Sequence, residues 1–146
     1  RVMIQDKKIK IFIVDDELFC LHMYKQDIEN LGYENITTFD NGIDCVRNLN
    51  KKPDVIFLDY IMSDMSGYEV LTKVKRFDPN IYVVMVSSQD EIEPAIEALK
   101  HGAFDYIQKG DNAQAKVKKV LDRIHEVKAL IRKSEPGFFK SVFKFL

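Results

Sequence analysis

Four apolar runs in this 146-residue chain stop on an oxygen acceptor or a cation. Residues 11–14 lead into Asp15-Asp16, 55–58 into Asp59, 81–86 into Ser87, and 104–107 end just short of Lys109. If these runs are parallel strands with helices between them, all of those groups meet at the carboxyl edge of one sheet, where open α/β folds bind ligands. Three carboxylates gathered there repel one another by roughly 4 kcal/mol per pair at an effective dielectric near 20, so they stay ionised together only around a cation. An all-oxygen cluster with room for water suits Mg²⁺, and zinc is disfavoured because no His or Cys stands in these loops. A carboxylate nucleophile, a metal, the Lys109 ammonium and the Ser87 hydroxyl are the parts needed for phosphoryl transfer to an aspartate. Catalysis there is mainly positioning and charge neutralisation.

The elements that must position these groups alternate regularly. Residues 8–14 read as a strand, followed by a helix over 17–31 with Leu18, Leu21, Tyr24, Ile28 and Leu31 on one face and Gly32 as its stop. A short strand at 36–39 precedes the turn Asp40-Asn41-Gly42 and a helix over 43–49 with Val46 and Leu49 turned inward. A strand opens at Pro53-Asp54, and the loop Ser63-Asp64-Met65-Ser66-Gly67 leads into a helix ending near Phe77. The continuous apolar run before Ser87 implies a strand buried on both faces, as in a parallel sheet. Asp90 and Glu91 start a fourth helix, which tolerates Pro94 in its first turn and closes at Gly102. A fifth strand ends at Lys109, and Val117, Val120, Leu121, Ile124, Val127 and Ile131 form one stripe of a long last helix. This is five β/α units in order, without internal repeat or low-complexity segment.

Composition sets further bounds. With 46% hydrophobic and 31% charged residues, the chain suits one compact domain. Residues 1–110 hold 13 Lys/Arg against 19 Asp/Glu, whereas 111–146 hold 9 against 4. A lysine-rich solvated helix face accounts for this asymmetry, and direct nucleic-acid binding is not expected. Cys20 and Cys45 lie apart inside helical patterns and read as reduced core thiols, consistent with a cytoplasmic protein. No apolar stretch approaches a membrane span, and no signal-peptide pattern precedes the first strand. His22, His101 and His125 read as surface or boundary histidines, and Met62 and Met65 as packing residues.

The motifs Val14-Asp15-Asp16-Glu17, Leu58-Asp59-Tyr60-Ile61-Met62-Ser63-Asp64-Met65-Ser66-Gly67, Val86-Ser87-Ser88 and Gly102-Ala103-Phe104-Asp105-Tyr106-Ile107-Gln108-Lys109 resemble the receiver domain of two-component response regulators. The resemblance covers about residues 8–133 in order and spacing. It implies a flavodoxin-like (βα)5 fold, α/β and doubly wound, whose five-stranded parallel sheet has the order 2-1-3-4-5. It further implies that Asp59 accepts a phosphoryl group, and that Asp15, Asp16, Asp59 and the backbone carbonyl of Ile61 hold Mg²⁺. Lys109 would pair with the phosphoryl group, Ser87 would hydrogen-bond to it, and Tyr106 would turn inward when it does. The implied partners are a sensor histidine kinase or histidine phosphotransfer protein and a downstream protein target. Homodimerisation through the fourth helix, fifth strand and fifth helix is a further option. Two residues depart from the family pattern: Ser63 and Gly110 stand where proline is usual. The peptide bond after Lys109 is therefore expected to be trans.

Other function classes fit less well. An aspartyl phosphatase would want a second acid where Ile61 stands, and a flavin carrier would need a phosphate-cradling loop where Asp15-Asp16-Glu17 repels phosphate. A phosphorylation-independent interaction module is the alternative within the same fold. A stand-alone receiver is preferred over a fragment of a longer protein with an effector domain. Residues 134–146 form a separate tail in which Phe138, Phe139, Val142, Phe143 and Leu146 recur at amphipathic helical spacing. The tail is read as a cap on the chain's own core or as a docking or dimerisation element, with membrane-surface binding the weaker option.

Overall fold

The computed structural model describes residues 5–88, 92–135 and 137. The elements are β1 (Ile11–Val14), α1 (Leu18–Asn30), β2 (Ile36–Phe39), α2 (Gly42–Arg47), β3 (Val55–Asp59), α3 (Gly67–Phe77), β4 (Tyr82–Ser87), α4 (Ile92–Lys100), β5 (Asp105–Gln108) and α5 (Ala113–Ser134). The five strands are parallel in the order β2-β1-β3-β4-β5, as the resemblance implies. Asp90, Glu91 and the tail aromatics from Phe138 onward fall outside the described residues. None of the described helices is long and apolar enough to cross a membrane.

Strand alternation sends successive side chains to opposite faces and so builds two cores. Ile11, Ile13, Val55, Phe57, Val84 and Val86 pack under α1 and α5, against Leu21, Ile28, Val117 and Leu121. Phe12, Val14, Ile56, Leu58, Val83 and Met85 pack under α2, α3 and α4, against Cys45, Val70, Leu71 and Ala98. Burial on both faces explains why the central strands read as unbroken apolar runs. Each fully buried aliphatic side chain contributes roughly 1.5–3 kcal/mol.

Several sequence expectations are corrected. Leu18 is exposed, because α1 begins beyond the end of β1 and its first turn overhangs the sheet. Ile131 is exposed for the matching reason at the other end of α5. Cys45 is a buried thiol, but Cys20 is only partly covered; both are free. His125 is no surface residue: it is buried and shares a 2.9 Å hydrogen bond with the Tyr33 hydroxyl. Leu49 is buried as expected, yet in a single 3-10 turn (Leu49–Lys51) after α2 has ended. Residues 8–10 precede β1 rather than belonging to it, and β5 stops one residue before Lys109.

Candidate functional site

Register brings the chemistry together. Val14 pairs with Leu58, so the residues that follow, Asp15 and Asp59, occupy adjacent rungs at the carboxyl edge. Asp59 pairs with Val86, and Ser87 with Gln108, which puts Ser87 and Lys109 on the next two strands at the same edge. The backbone N–H of Lys109 donates to the Ser87 carbonyl at 2.7 Å, fixing where the lysine leaves the sheet.

Asp15 and Asp59 are buried, 3% and 7% exposed, whereas Asp16 faces solvent. One carboxylate oxygen from each of the three lies within 4.8 Å of the others. The Lys109 ammonium lies 2.8 Å from Asp15 Oδ2 and 3.3 Å from Asp59 Oδ1. Burial pushes the Asp59 carboxyl up to about 6, and the Asp15 charge adds to this against the opposing pull of Lys109. Burial alone would lower the Lys109 pKa, but its hydrogen bond to Asp15 and the charges of Asp59 and Asp15 outweigh it and hold the ammonium above its ordinary value. A donor set of three carboxylates, two of them shielded from water and poorly neutralised by one lysine, fits a hard divalent cation such as Mg²⁺.

The loop after β3 is tied down on two sides. On one side the Ser63 N–H donates to Asp16 Oδ2 at 3.0 Å. On the other, the Asp64 carboxylate accepts the N–H groups of Gly42 (3.2 Å) and Ile43 (3.0 Å) at the start of α2. Burial works against ionised Asp64, but these backbone donors prevail and hold its pKa below the usual carboxylate range. Ser66 ends the loop as the N-cap of α3, accepting the Glu69 N–H at 3.2 Å. Gly67 then passes so close to β3 that a β-carbon on it would meet the Asp59 carbonyl oxygen and lie 2.8 Å from the Tyr60 Cα. Ile61 stands in this loop two residues beyond Asp59, its side chain exposed.

Ser87 is buried and shares a sheet face with Met85. Tyr106 pairs with Met85, which puts it one rung back on that face, half-buried against the α2–α3–α4 core. Gly110 has φ +139°, a conformation L side chains rarely adopt, and no cis peptide bond occurs among the described residues. The expected trans bond after Lys109 is therefore present.

Sequence reasoning placed Asp15, Asp16, Asp59, Ser87 and Lys109 at one edge, and the structure brings them there. It missed Asp64 and Gly67 as supports of the site. The Ser66-x-x-Glu69 spacing is a helix-start signal that marks where the loop must end, but no local pattern announces that Asp64 reaches back to α2.

Residues 11–121 match the family model described as response regulator receiver domain. The chain is 33% identical to the chemotaxis protein CheY of Listeria monocytogenes, over 69% of this chain and 86% of that protein. Among solved structures, the CheY-like receiver domain protein of Methanospirillum hungatei superposes with a TM-score of 0.76 at 27% identity, covering 84% of this chain and 98% of that one. The CheX–CheY–BeF3–Mg²⁺ complex of Borrelia burgdorferi gives a TM-score of 0.73 at 28% identity, covering 80% and 88%.

Proposed function

The chain belongs to the response regulator receiver domain family, and from that premise we propose that Asp59 accepts a phosphoryl group from a phosphohistidine donor on a sensor kinase or phosphotransfer protein. The observation that carries this reading is the position of Asp59: a shielded carboxylate flanked by Asp15 and by the Lys109 ammonium at 3.3 Å.

In the reaction, an Asp59 carboxylate oxygen forms a bond to phosphorus while the bond from phosphorus to the donor imidazole nitrogen breaks. The imidazole keeps that electron pair and takes up a proton from solvent. Lys109 pairs with the incoming phosphoryl oxygens, and the Ser87 hydroxyl donates to one of them. Asp15 and Asp16, with Asp59 and the Ile61 carbonyl, would hold Mg²⁺. When bound, the ion supplies charge neutralisation for the phosphoryl oxygens. Burial and the strand-end geometry orient the nucleophile, and the Ser63 N–H keeps Asp16 aimed. The chain acts on its own carboxylate only, so it is a signalling acceptor and not an enzyme with turnover on other substrates.

Drawing Ser87 toward the phosphoryl group makes room on its sheet face for Tyr106 to move inward, which alters the surface of α4, β5 and α5 offered to a downstream target or a second copy. A donor protein has its own apolar landing next to the site: Leu18 and Phe19, the latter 71% exposed, begin α1 directly after the acidic pair, and exposed Ile61 follows Asp59. A cytoplasmic location fits this chemistry and the two free thiols.

Incubation with Mg²⁺ and a small phosphodonor, read by intact mass, tests the assignment. A single phosphoryl adduct is expected on the parent chain and none on Asp59→Asn. An adduct retained on that variant would place the acceptor elsewhere.

A further inference from the structure

An open cleft of about 860 Å³ lies at the amino edge of the sheet, where β4 and β5 begin and α5 ends. Open α/β folds bind ligands at the carboxyl edge, so this cleft lies outside the site already described. Its volume falls within the roughly 300–1,000 Å³ usual for small-molecule sites. Ile81, Phe104, Val127 and Ile131 give it an apolar wall. Phe104 is held edge-to-face by Tyr82, with 5.3 Å between ring centroids. Ile131 is 51% exposed at the end of α5 that outruns the sheet.

The lining also carries charge: Lys52, Lys75, Lys128 and Arg132 against Asp54, Asp78 and Glu135. Two of these acids are engaged within the protein. Asp54 accepts the Lys10 N–H at 2.8 Å and pairs with Lys128 at 3.5 Å, and Asp78 accepts the Asn80 N–H at 2.9 Å. The remaining cations are less well matched. Lys52 and Arg132 are exposed at the rim, and their side chains have no hydrogen bond or ion pair among the described residues. Lys75 is half-buried and donates to the Pro79 and Ile81 carbonyls. Those acceptors are neutral, so its charge stays uncompensated, and an ammonium has a third N–H to give. Burial accordingly lowers the Lys75 pKa, with Asp78 opposing. The lysine stem is fixed as well, because a β-carbon on Gly102 would lie 3.3 Å from its methylenes.

We propose that this cleft is a second binding site, for a small apolar monoanion: an aromatic carboxylate whose rings lie on Ile81, Phe104 and Ile131 and whose charged end meets Lys75. A single charge is favoured over a phosphate dianion. The Pro79 and Ile81 carbonyls, Asp78 and the carbonyl ends of α3 and α5 all reach the same edge and would repel a second charge. At the rim, Lys52 and Arg132 outweigh exposed Glu135 and attract the anion as it approaches.

The test uses the full chain with dansylglycine, a fluorescent aromatic carboxylate, and its neutral twin dansylglycinamide. Expected for the parent are saturable one-to-one binding of the carboxylate, about tenfold tighter than the amide, and shifted amide signals for Ile81, Tyr82, Phe104 and Val127. Lys75→Met keeps an unbranched stem beside Gly102 but removes the ammonium. It should weaken the carboxylate about tenfold and bring it level with the amide. Ile131→Glu changes an exposed wall residue and should weaken the carboxylate more than the amide. Absent binding, shifts confined to other parts of the chain, equal affinity of the parent for the two probes, or full carboxylate affinity in Lys75→Met each overturn the proposal. If Lys75→Met does not fold, Ile131→Glu decides: carboxylate binding equal to the parent's overturns it.

Discussion

Gly67 lies against Asp59 so closely that the glycine's missing side chain is the space taken by the aspartate's carbonyl oxygen. Backbone cannot yield there as a flexible side chain would. Gly67→Ala is expected to cost about 1–3 kcal/mol and to slow phosphorylation of Asp59 by displacing the end of β3. Chemical denaturation and the rate of adduct formation check the two effects. Unchanged rates in a destabilised variant would show that β3 holds its position without help from α3.

Asp64 anchors the loop after β3 to the start of α2 through two backbone hydrogen bonds. Asp64→Ala removes the anchor without touching a metal-site carboxylate. The expected outcome is a stability loss of about 1 kcal/mol and a several-fold weaker Mg²⁺ affinity, since the same loop carries Ile61 and the Ser63 N–H. Fluorescence or calorimetric titration with Mg²⁺ reads the second effect, which capping of α2 alone would not produce.

Asp59→Asn should stabilise the metal-free protein while abolishing phosphorylation. Burial and the Asp15 charge make ionised Asp59 costly, and Lys109 offsets this only in part. After allowance for solvent screening, the expected gain is about 1 kcal/mol at neutral pH. A thermal melt showing a loss instead would mean that the pairing with Lys109 outweighs the repulsion.

Gly110→Ala is expected to cost about 1 kcal/mol, because φ +139° strains any β-carbon even though nothing lies within 4 Å of that position. Gly110→Pro should cost more and disturb Lys109, since proline holds φ near −65° and forces the turn into another shape. Comparing phosphorylation rates of the two variants separates backbone strain from the aim of the lysine.

His125 gives the fold an acid-sensitive joint. Burial depresses its pKa, and Lys128 and Lys7 add to the effect, while Asp122 and Asp6 oppose it. A depressed folded-state pKa means that the unfolded chain takes up the proton first. The stability His125 contributes is thus present above its unfolded value of about 6.5 and lost as pH falls below it. Tyr33→Phe, which removes the 2.9 Å hydrogen bond, should cost about 1 kcal/mol at pH 7.5. Tyr24→Phe should cost nothing, because among the described residues the buried Tyr24 hydroxyl has no hydrogen-bond partner. Melts at pH 5.5 and 7.5 check the joint, and an equal Tm at both would remove His125 from the account.

The strand ends were legible because a parallel sheet covered on both sides leaves an unbroken apolar signature, and the polar residue that interrupts it marks the carboxyl edge. Asp15, Asp59, Ser87 and Lys109 were found that way. Leu18 and Ile131 misled because helical periodicity records which face is apolar, not how far the sheet extends beneath it. His125 was misplaced because its partner Tyr33 is 92 residues away, and local pattern carries no trace of such a pairing. Asp64 and Gly67 share that blindness: each supports the site through backbone supplied by another element.

The two cores also differ in when a growing chain can complete them. Everything in the α2–α3–α4 layer, from Phe12 to Ala103, is available before α5 has been synthesised. The α1–α5 layer needs Leu21 and Ile28 together with residues as late as Leu121 and Ile124. During translation α1 alone covers that face of the sheet, which therefore stays incompletely covered, with Phe57, Val84 and Val86 waiting on α5, until the last helix emerges. Nascent chains that stall before Val117 would carry a partly open apolar sheet face, a form prone to aggregate and in need of a chaperone.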